Sequence, residues 1–182
     1  MKNILFILLS FLVCVGNAQE SYTLSKESVL KINGSSTIHD WTVAANSMKG
    51  SMKMEAGDVK NLLLQVDVAQ IKSERGAAMD KKMHAALKVD EHPEVSFKFQ
   101  EIKKSADSEN TFQLKGLLNI AGVEKSVNIA LEFQEIEGKY KFKGSKELKL
   151  QDYNMEPPTA MFGQIIVGDN VTVEFDLVYA KG

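Results

Sequence analysis

The sequence predicts an all-β fold: a single antiparallel β-barrel of about eight strands with one amphipathic α-helix near a barrel end. Three observations carry this reading. About eight stretches alternate apolar and polar residues with period two, the pitch of a half-buried strand. Nearly all of them are joined by the short connections that antiparallel neighbours use. One segment alone, Glu74 to Leu87, switches to the helical period. Antiparallel strands in this number either close into a barrel or split into a sandwich, and the alternation by itself leaves both open. Closure removes the edges that long apolar strands would otherwise expose, which favours the barrel.

Residues 1–18 stand apart from the rest of the 182-residue chain. Lys2 supplies a positive start, Ile4 to Val15 is apolar apart from Ser10, and Gly16-Asn17-Ala18 offers small residues where a signal peptidase reads them. The pattern is that of a secretory signal peptide cleaved after Ala18, leaving one domain over 19–182 in the periplasm or outside the cell. Its apolar run is shorter than the roughly 20 residues of a membrane span, and no later stretch approaches that length. Cys14 closes the run, but Phe11-Leu12-Val13 before it lacks the small residue that a lipoprotein signal places there. Removing the leader therefore removes the only cysteine, and the core must be held without disulfides. The remaining length of about 160 residues is enough for one core.

The elements follow in order. Tyr22, Leu24, Val29, Leu30 and Ile32 mark an opening strand, bent or interrupted around Ser25 to Ser28, and Asn33-Gly34-Ser35-Ser36 reads as a turn. Ile38, Trp41 and Val43 make a second strand, and Met48, Met52 and Met54 around Gly50 a third. Leu62, Leu64, Val66, Val68 and Ile71 form a strand after the break at Glu55 to Lys60. In the helix, Met79, Met83, Ala86 and Leu87 recur at i, i+4, i+7 and i+8, with Asp80, Lys81, Lys82 and His84 on the other faces. His92-Pro93 forces an extended entry to Val95, Phe97 and Phe99.

Lys103 to Asn110 reads as a polar hairpin loop. The central hairpin follows, with Phe112, Leu114, Gly116, Leu118 and Ile120 inward, a link over Ala121 to Ser126, and Val127, Ile129, Leu131 and Phe133 inward on return. Glu137-Gly138 turns the chain into Tyr140, Phe142 and Gly144, continued by Leu148 and Leu150. Pro157-Pro158 opens a loop whose Met161 and Phe162 are expected to pack inward. Gly168-Asp169-Asn170 reads as a tight turn before the closing strand of Val171, Val173, Phe175, Leu177 and Tyr179.

Composition excludes several functions. The formal charge of −2, or −3 without Lys2, comes with no basic stripe or arginine cluster, so nucleic acid and anionic membrane surfaces are poor partners. There is no nucleophile elbow, dinucleotide fingerprint or P-loop. His39 and Asp40 are adjacent, so on a strand they point to opposite faces. His39, His84 and His92 lack the spacing of a zinc motif, and no catalytic residue, metal ligand or cofactor is assigned. The inward aromatics read equally well as barrel filling and as the wall of a ligand site.

Five phrases occur together in register: Ser35-Ser36-Thr37-Ile38-His39-Asp40-Trp41, Met79-Asp80-Lys81-Lys82-Met83, His92-Pro93-Glu94-Val95-Ser96-Phe97, the run Gly116 to Lys125 (GLLNIAGVEK), and Gly168-Asp169-Asn170-Val171-Thr172-Val173. Over Tyr22 to Tyr179 the chain resembles the YceI family of secreted polyisoprenoid-binding proteins. It departs from the family pattern at Asn119, often Thr, and at Glu94-Val95-Ser96-Phe97, often a Thr-Ile-Thr-Phe-like run. Both changes are outward or conservative.

The resemblance implies a lipocalin-like barrel whose apolar interior holds an isoprenoid or other long-chain lipid, in a family without a characteristic catalytic set. It turns the aromatics into candidate walls: Phe97, Phe99, Phe112, Phe133, Tyr140, Phe142 and Phe175, with Met79, Met83 and Leu87 near the mouth. Methionine adapts to a flexible chain, so the helix is either a lid or a static cap. The competing functions are a structural or stress-related interaction module with a filled barrel, and a metal-dependent enzyme. A homodimer is the candidate assembly.

Overall fold

The computed structural model describes residues 19–105 and 110–182. The expected leader and the middle of the Lys103 to Asn110 loop lie outside the described residues. The strands are β1 (Glu20–Leu24), β2 (Val29–Ser36), β3 (Asp40–Ala45), β4 (Met48–Glu55), β5 (Asp58–Asp67) and β6 (Ile71–Ser73). After helix α1 (Ala77–Ala86) come β7 (Glu94–Lys104), β8 (Thr111–Ile120), β9 (Val123–Ile136), β10 (Lys139–Lys149), β11 (Thr159–Ala160) and β12 (Ile165–Lys181).

Eight of these form a closed ring in the order β1, β4, β5, β7, β8, β9, β10, β12, returning from β12 to β1, with every pairing antiparallel. The predicted barrel is therefore the observed one. The extra strands arise because three ring strands are broken along their length. β1 and β2 are one run interrupted between Leu24 and Val29, β3 and β4 part at Asn46-Ser47, and β5 reaches β6 through one 3-10 turn at Val68–Gln70. Beyond these breaks, β2, β3 and β6 continue the wall, paired in that order from β12.

Four local expectations are corrected. Asn33 to Ser36 is strand, and the chain reverses one step later, where the Ser36 amide donates to the His39 carbonyl at 2.9 Å. The central hairpin turns at Ala121-Gly122 alone, both at positive φ (49° and 82°), so β9 starts at Val123. Two residues with positive φ match the twist of a hairpin, which a longer polar link would not require. Gly168 to Asn170 lies inside β12 as a bulge, where the register shifts between Val167 and Val171 against Ser36 and Gly34. Gly-Asp-Asn supplies the local freedom of either a turn or a bulge, and pairing on both sides selects the bulge.

Met161 and Phe162 are the fourth. Both take positive φ (50° and 55°) and both side chains are exposed, Phe162 fully. The inward contacts of that loop are made earlier, by Tyr153 and Met155, which pack with Ala121, Ala86 and Leu87 over the end of the barrel.

The expected helix is present as α1, lying beside β6, but its polar residues are not all outward. Asp80 is buried, accepting from the Ser73 amide at 2.8 Å and facing Lys72 Nζ at 3.7 Å, which fastens the helix to β6. Among the described residues, no helix is long and apolar enough to cross a membrane.

Candidate functional site

The alternation of each ring strand sends one face inward, and the order of residues along the strands sorts the interior into two halves. At one end, where β8 begins and β9 ends, aromatic rings meet. Phe112 and Phe133 pack edge to face with centroids 5.5 Å apart, Phe133 stacks on Tyr140 at 5.7 Å and tilts against Phe142 at 4.7 Å, and Tyr140 meets Tyr22 edge-on at 5.0 Å. Tyr179, with no exposed surface, closes this group against Phe142 at 5.7 Å. Edge-to-face and offset contacts of this kind fill volume without voids. Burial raises the phenol pKa of Tyr179 and Tyr22, and the Glu20 carboxylate that accepts from Tyr22 raises the latter further.

The other half is open. A cavity of about 230 Å³ runs from Phe142 and Leu177, at the edge of the aromatic group, to the barrel end covered by α1. Leu30 and Ile32 of β2, Val43 of β3, Leu62, Leu64 and Val66 of β5, and Leu114 and Leu118 of β8 line it, with Ile129 and Leu131 of β9 and Val171, Val173 and Phe175 of β12. On each strand that contributes more than one they stand two positions apart, or four across Gly116 of β8, so the lining follows directly from the period-two pattern.

The sequence-predicted residues divide between these halves. Phe97, Phe142 and Phe175 border the cavity, as do Met79, Met83 and Leu87 from the helix and the residue after it. Phe112, Phe133 and Tyr140 do not; they belong to the packed end. Phe99 is half-buried against the core beside a bulge between itself and Glu101, and it too lies off the cavity. Alternation tells which face a residue takes but not how far along the barrel axis it sits.

Sequence reading missed other lining groups. Trp41 borders the cavity on β3, and its ring lies over Gly34 of β2, where a β-carbon would come within 2.2 Å of it. Its indole N–H donates to the Ser35 carbonyl at 3.0 Å. Its alternation with Val43 was the available signal. Tyr153, Met155 and Pro158 close the rim from the β10–β11 connection, which has no strand period to read. Burial raises the Tyr153 phenol pKa, with Asp152 adding to it.

The charged groups bordering the cavity are Lys82, Lys146 and Lys149. Lys82 Nζ donates to the Thr159 carbonyl at 2.7 Å, joining α1 to the loop that carries Met161 and Phe162.

The three histidines go to separate structural duties. His39 Nε2 accepts from Arg75 Nη1 at 2.7 Å in the β2–β3 turn, His84 Nε2 donates to the Ile71 carbonyl at 2.9 Å, and the His92 ring sits over the β8–β9 turn at Gly122. Among the described residues, no three histidine, cysteine, aspartate or glutamate side chains converge as metal ligands would.

A family profile described as the YceI-like domain matches residues 22–179. No curated protein matches the sequence. Three solved structures have similar folds. A polyisoprenoid-binding domain from Saccharophagus degradans, implicated in plant cell wall breakdown, aligns at TM-score 0.71 and 14% identity over 90% of this chain and 99% of that one. BcnA of Burkholderia cenocepacia aligns at 0.68 and 19% over 83% and 95%, and a YceI protein of Campylobacter jejuni at 0.63 and 17% over 77% and 84%.

Proposed function

The chain belongs to the YceI-like family, and from that premise we propose that it is a non-enzymatic carrier or store for a long apolar ligand, a polyisoprenoid or similar lipid, held inside the barrel. One observation carries the reading. A barrel whose far half is packed with rings keeps a cavity of about 230 Å³ in its near half, walled almost wholly by aliphatic and aromatic side chains. Core packing leaves few voids above the size of a water molecule, and an apolar cavity of about 150 Å³ already holds benzene. The similarity to a polyisoprenoid-binding domain points the same way.

The energetics suffice without a covalent or metal anchor. Burying ten methylene equivalents at about 0.8 kcal/mol each gives about 8 kcal/mol before the costs of association, and about 8.2 kcal/mol corresponds to micromolar affinity. Longer chains exceed the space now open, so their binding moves Met79, Met83 and Leu87 outward, and α1 acts as the lid. Titrating isoprenoid alcohols of increasing length into delipidated protein tests this. Affinity rises with length until the barrel is full; no binding at any length by a folded protein overturns it.

The packed aromatic end favours a second reading in part, a barrel serving as an interaction module. Organic extraction of the purified protein followed by mass spectrometry separates the two, since only a carrier brings a lipid with it. The signal-like sequence of residues 1–18 supports the periplasm or the outside of the cell as the carrier's location. Intact mass of the exported protein, beginning at Gln19, supports that placement, whereas a species acylated at Cys14 refutes it.

A further inference from the structure

Exposed apolar side chains are unevenly placed on this barrel. Among the described residues six large hydrophobic side chains are exposed, and four of them, Ile38, Met161, Phe162 and Ile166, belong to one corner. Met161 and Phe162 occupy the turn of the β11–β12 hairpin, and Ile166 stands on its return arm opposite Thr159. Ile38 reaches the same corner from the β2–β3 turn, because the Thr37 amide donates to the Ile166 carbonyl at 3.0 Å and the Ile166 amide to Thr37 Oγ1 at 3.3 Å. The other two, Val29 and Ile136, lie elsewhere, at the start of β2 and the end of β9.

The sequence of this corner matches its exposure. Residues 157–168 carry no charged side chain, the longest such run in 19–182 of a chain in which 25% of residues are charged. Exposure and lack of charge together mark a face suited to apolar surroundings rather than to water. Two cations are fastened at its base: Lys82 Nζ donates to the Thr159 carbonyl at 2.7 Å, and Arg75 Nη1 to His39 Nε2 at 2.7 Å beside Ile38. Cations below an apolar tip meet phospholipid phosphates while the tip enters the acyl region. The corner also adjoins the cavity. Pro158 and Val167, joined by the Val167 amide to the Pro158 carbonyl at 3.1 Å, begin and end the hairpin, and both border the cavity.

Resting on the reading of the barrel as a lipid carrier, we propose that the β11–β12 hairpin is a membrane-docking tip. Met161 and Phe162, flanked by Ile38 and Ile166, insert into a phospholipid surface and set the cavity rim against the bilayer with which the ligand is exchanged. A long apolar chain resides in a bilayer rather than in water, so a carrier that exchanges it needs its rim at the lipid surface. Lys82 ties α1 to the same hairpin, which brings the lid to that surface as well. Apolar burial drives the insertion, so it requires no anionic lipid, in keeping with the mild net charge of the chain.

The test is flotation of the purified protein with phosphatidylcholine vesicles, at low and high salt, beside a vesicle-free titration of geranylgeraniol into delipidated wild type. Circular dichroism checks the fold of each variant. Wild type should float with the vesicles at either salt concentration. Phe162→Ser, which removes a fully exposed ring, should weaken vesicle binding about tenfold. Ile136→Ser, which removes an exposed apolar side chain elsewhere, should float as wild type does. Wild type that takes up geranylgeraniol but does not float overturns the docking and leaves the carrier reading standing. Undiminished flotation of Phe162→Ser, or an equal loss in Ile136→Ser, also overturns it. So does a dimer in sedimentation that Phe162→Ser dissociates, because a second copy then covers the tip. A folded protein that floats through Phe162 but takes up no geranylgeraniol supports the docking and overturns the carrier reading.

Discussion

The ring of Phe97 lies against Gly116, so closely that a β-carbon at Gly116 would stand 2.3 Å from Phe97 Cζ. Phe97 borders the cavity from β7, and Gly116 is an inward position of the neighbouring β8. The absent side chain is what lets the ring fold against the wall instead of into the lumen. Gly116→Ala should therefore push the ring off the wall and destabilise the protein by about 1–3 kcal/mol. Urea denaturation should show a lower midpoint with an unchanged slope; an unaltered midpoint would mean that the wall yields.

Two inward leucines of the cavity wall should respond differently to the same truncation, because one is fully buried and the other is not. Leu131 is 3% exposed within the continuous core, so Leu131→Ala should cost about 2–5 kcal/mol. Leu118 faces inward as the alternation requires but is half-buried beside the existing space, so Leu118→Ala should cost less, about 1–2 kcal/mol. Gln113→Ala, on the outer face, should stay within about 0.5 kcal/mol. Equal midpoints for all three would show the register of the central hairpin to be wrong.

Asp80 joins α1 to β6 through the Ser73 amide. Asp80→Ala leaves that amide without its acceptor, which should cost about 1–3 kcal/mol. The helix amides should then exchange faster relative to those of β8 and β9. Unchanged exchange in α1 would mean that Met83 and Leu87 hold the helix on their own.

All four tyrosines have raised phenol pKa values, with burial the leading cause at each; Glu20 adds to it at Tyr22, Glu135 at Tyr140 and Asp152 at Tyr153. A folded-state pKa above the unfolded value gives stability that is fully present below the unfolded phenol value of about 10 and lost as pH rises through it towards the folded value. Phenolate absorbance should therefore lag in the native protein and then rise together with loss of tertiary structure. Smooth titration near the ordinary value, with the fold intact, would contradict the burial.

Phe162→Ser should shift stability by no more than about 0.5 kcal/mol, because the ring is fully exposed. A larger loss would indicate that the ring has a partner in solution.

Period two was enough to read the strands, the inward faces and the bend in the first strand, because a buried face repeats along every strand; closure into a barrel rested on the removal of edges and on the family resemblance. It could not separate Phe133, in the packed end, from Phe175, on the cavity, since both are inward aromatics and only axial position divides them. Nor could it resolve turn from bulge at Gly168, where pairing across the strand decides, or show that Asp80 turns inward to a backbone amide seven residues earlier. Apolar composition in a loop does not by itself imply burial: Met161 and Phe162 stay exposed because Tyr153 and Met155 already supply the inward contacts.

The breaks at Asn46-Ser47 and Val68 to Gln70 are joined across by the Asp67 amide to the Ser47 carbonyl at 3.1 Å and the Asn46 amide to the Gln70 carbonyl at 3.0 Å, and the break at Ser25 to Ser28 likewise separates β1, paired with β4, from β2, paired with β3. They form a transverse seam. On its far side, β2, β3 and β6 make a small flap, anchored by β12 at one margin and ending at β6, whose ladder partner among the described strands is β3 alone. A cylinder scored in this way has a compliant panel and a stiff remainder. Such a panel should open at a free energy below that of global unfolding, which would widen the barrel locally while its ring stays closed.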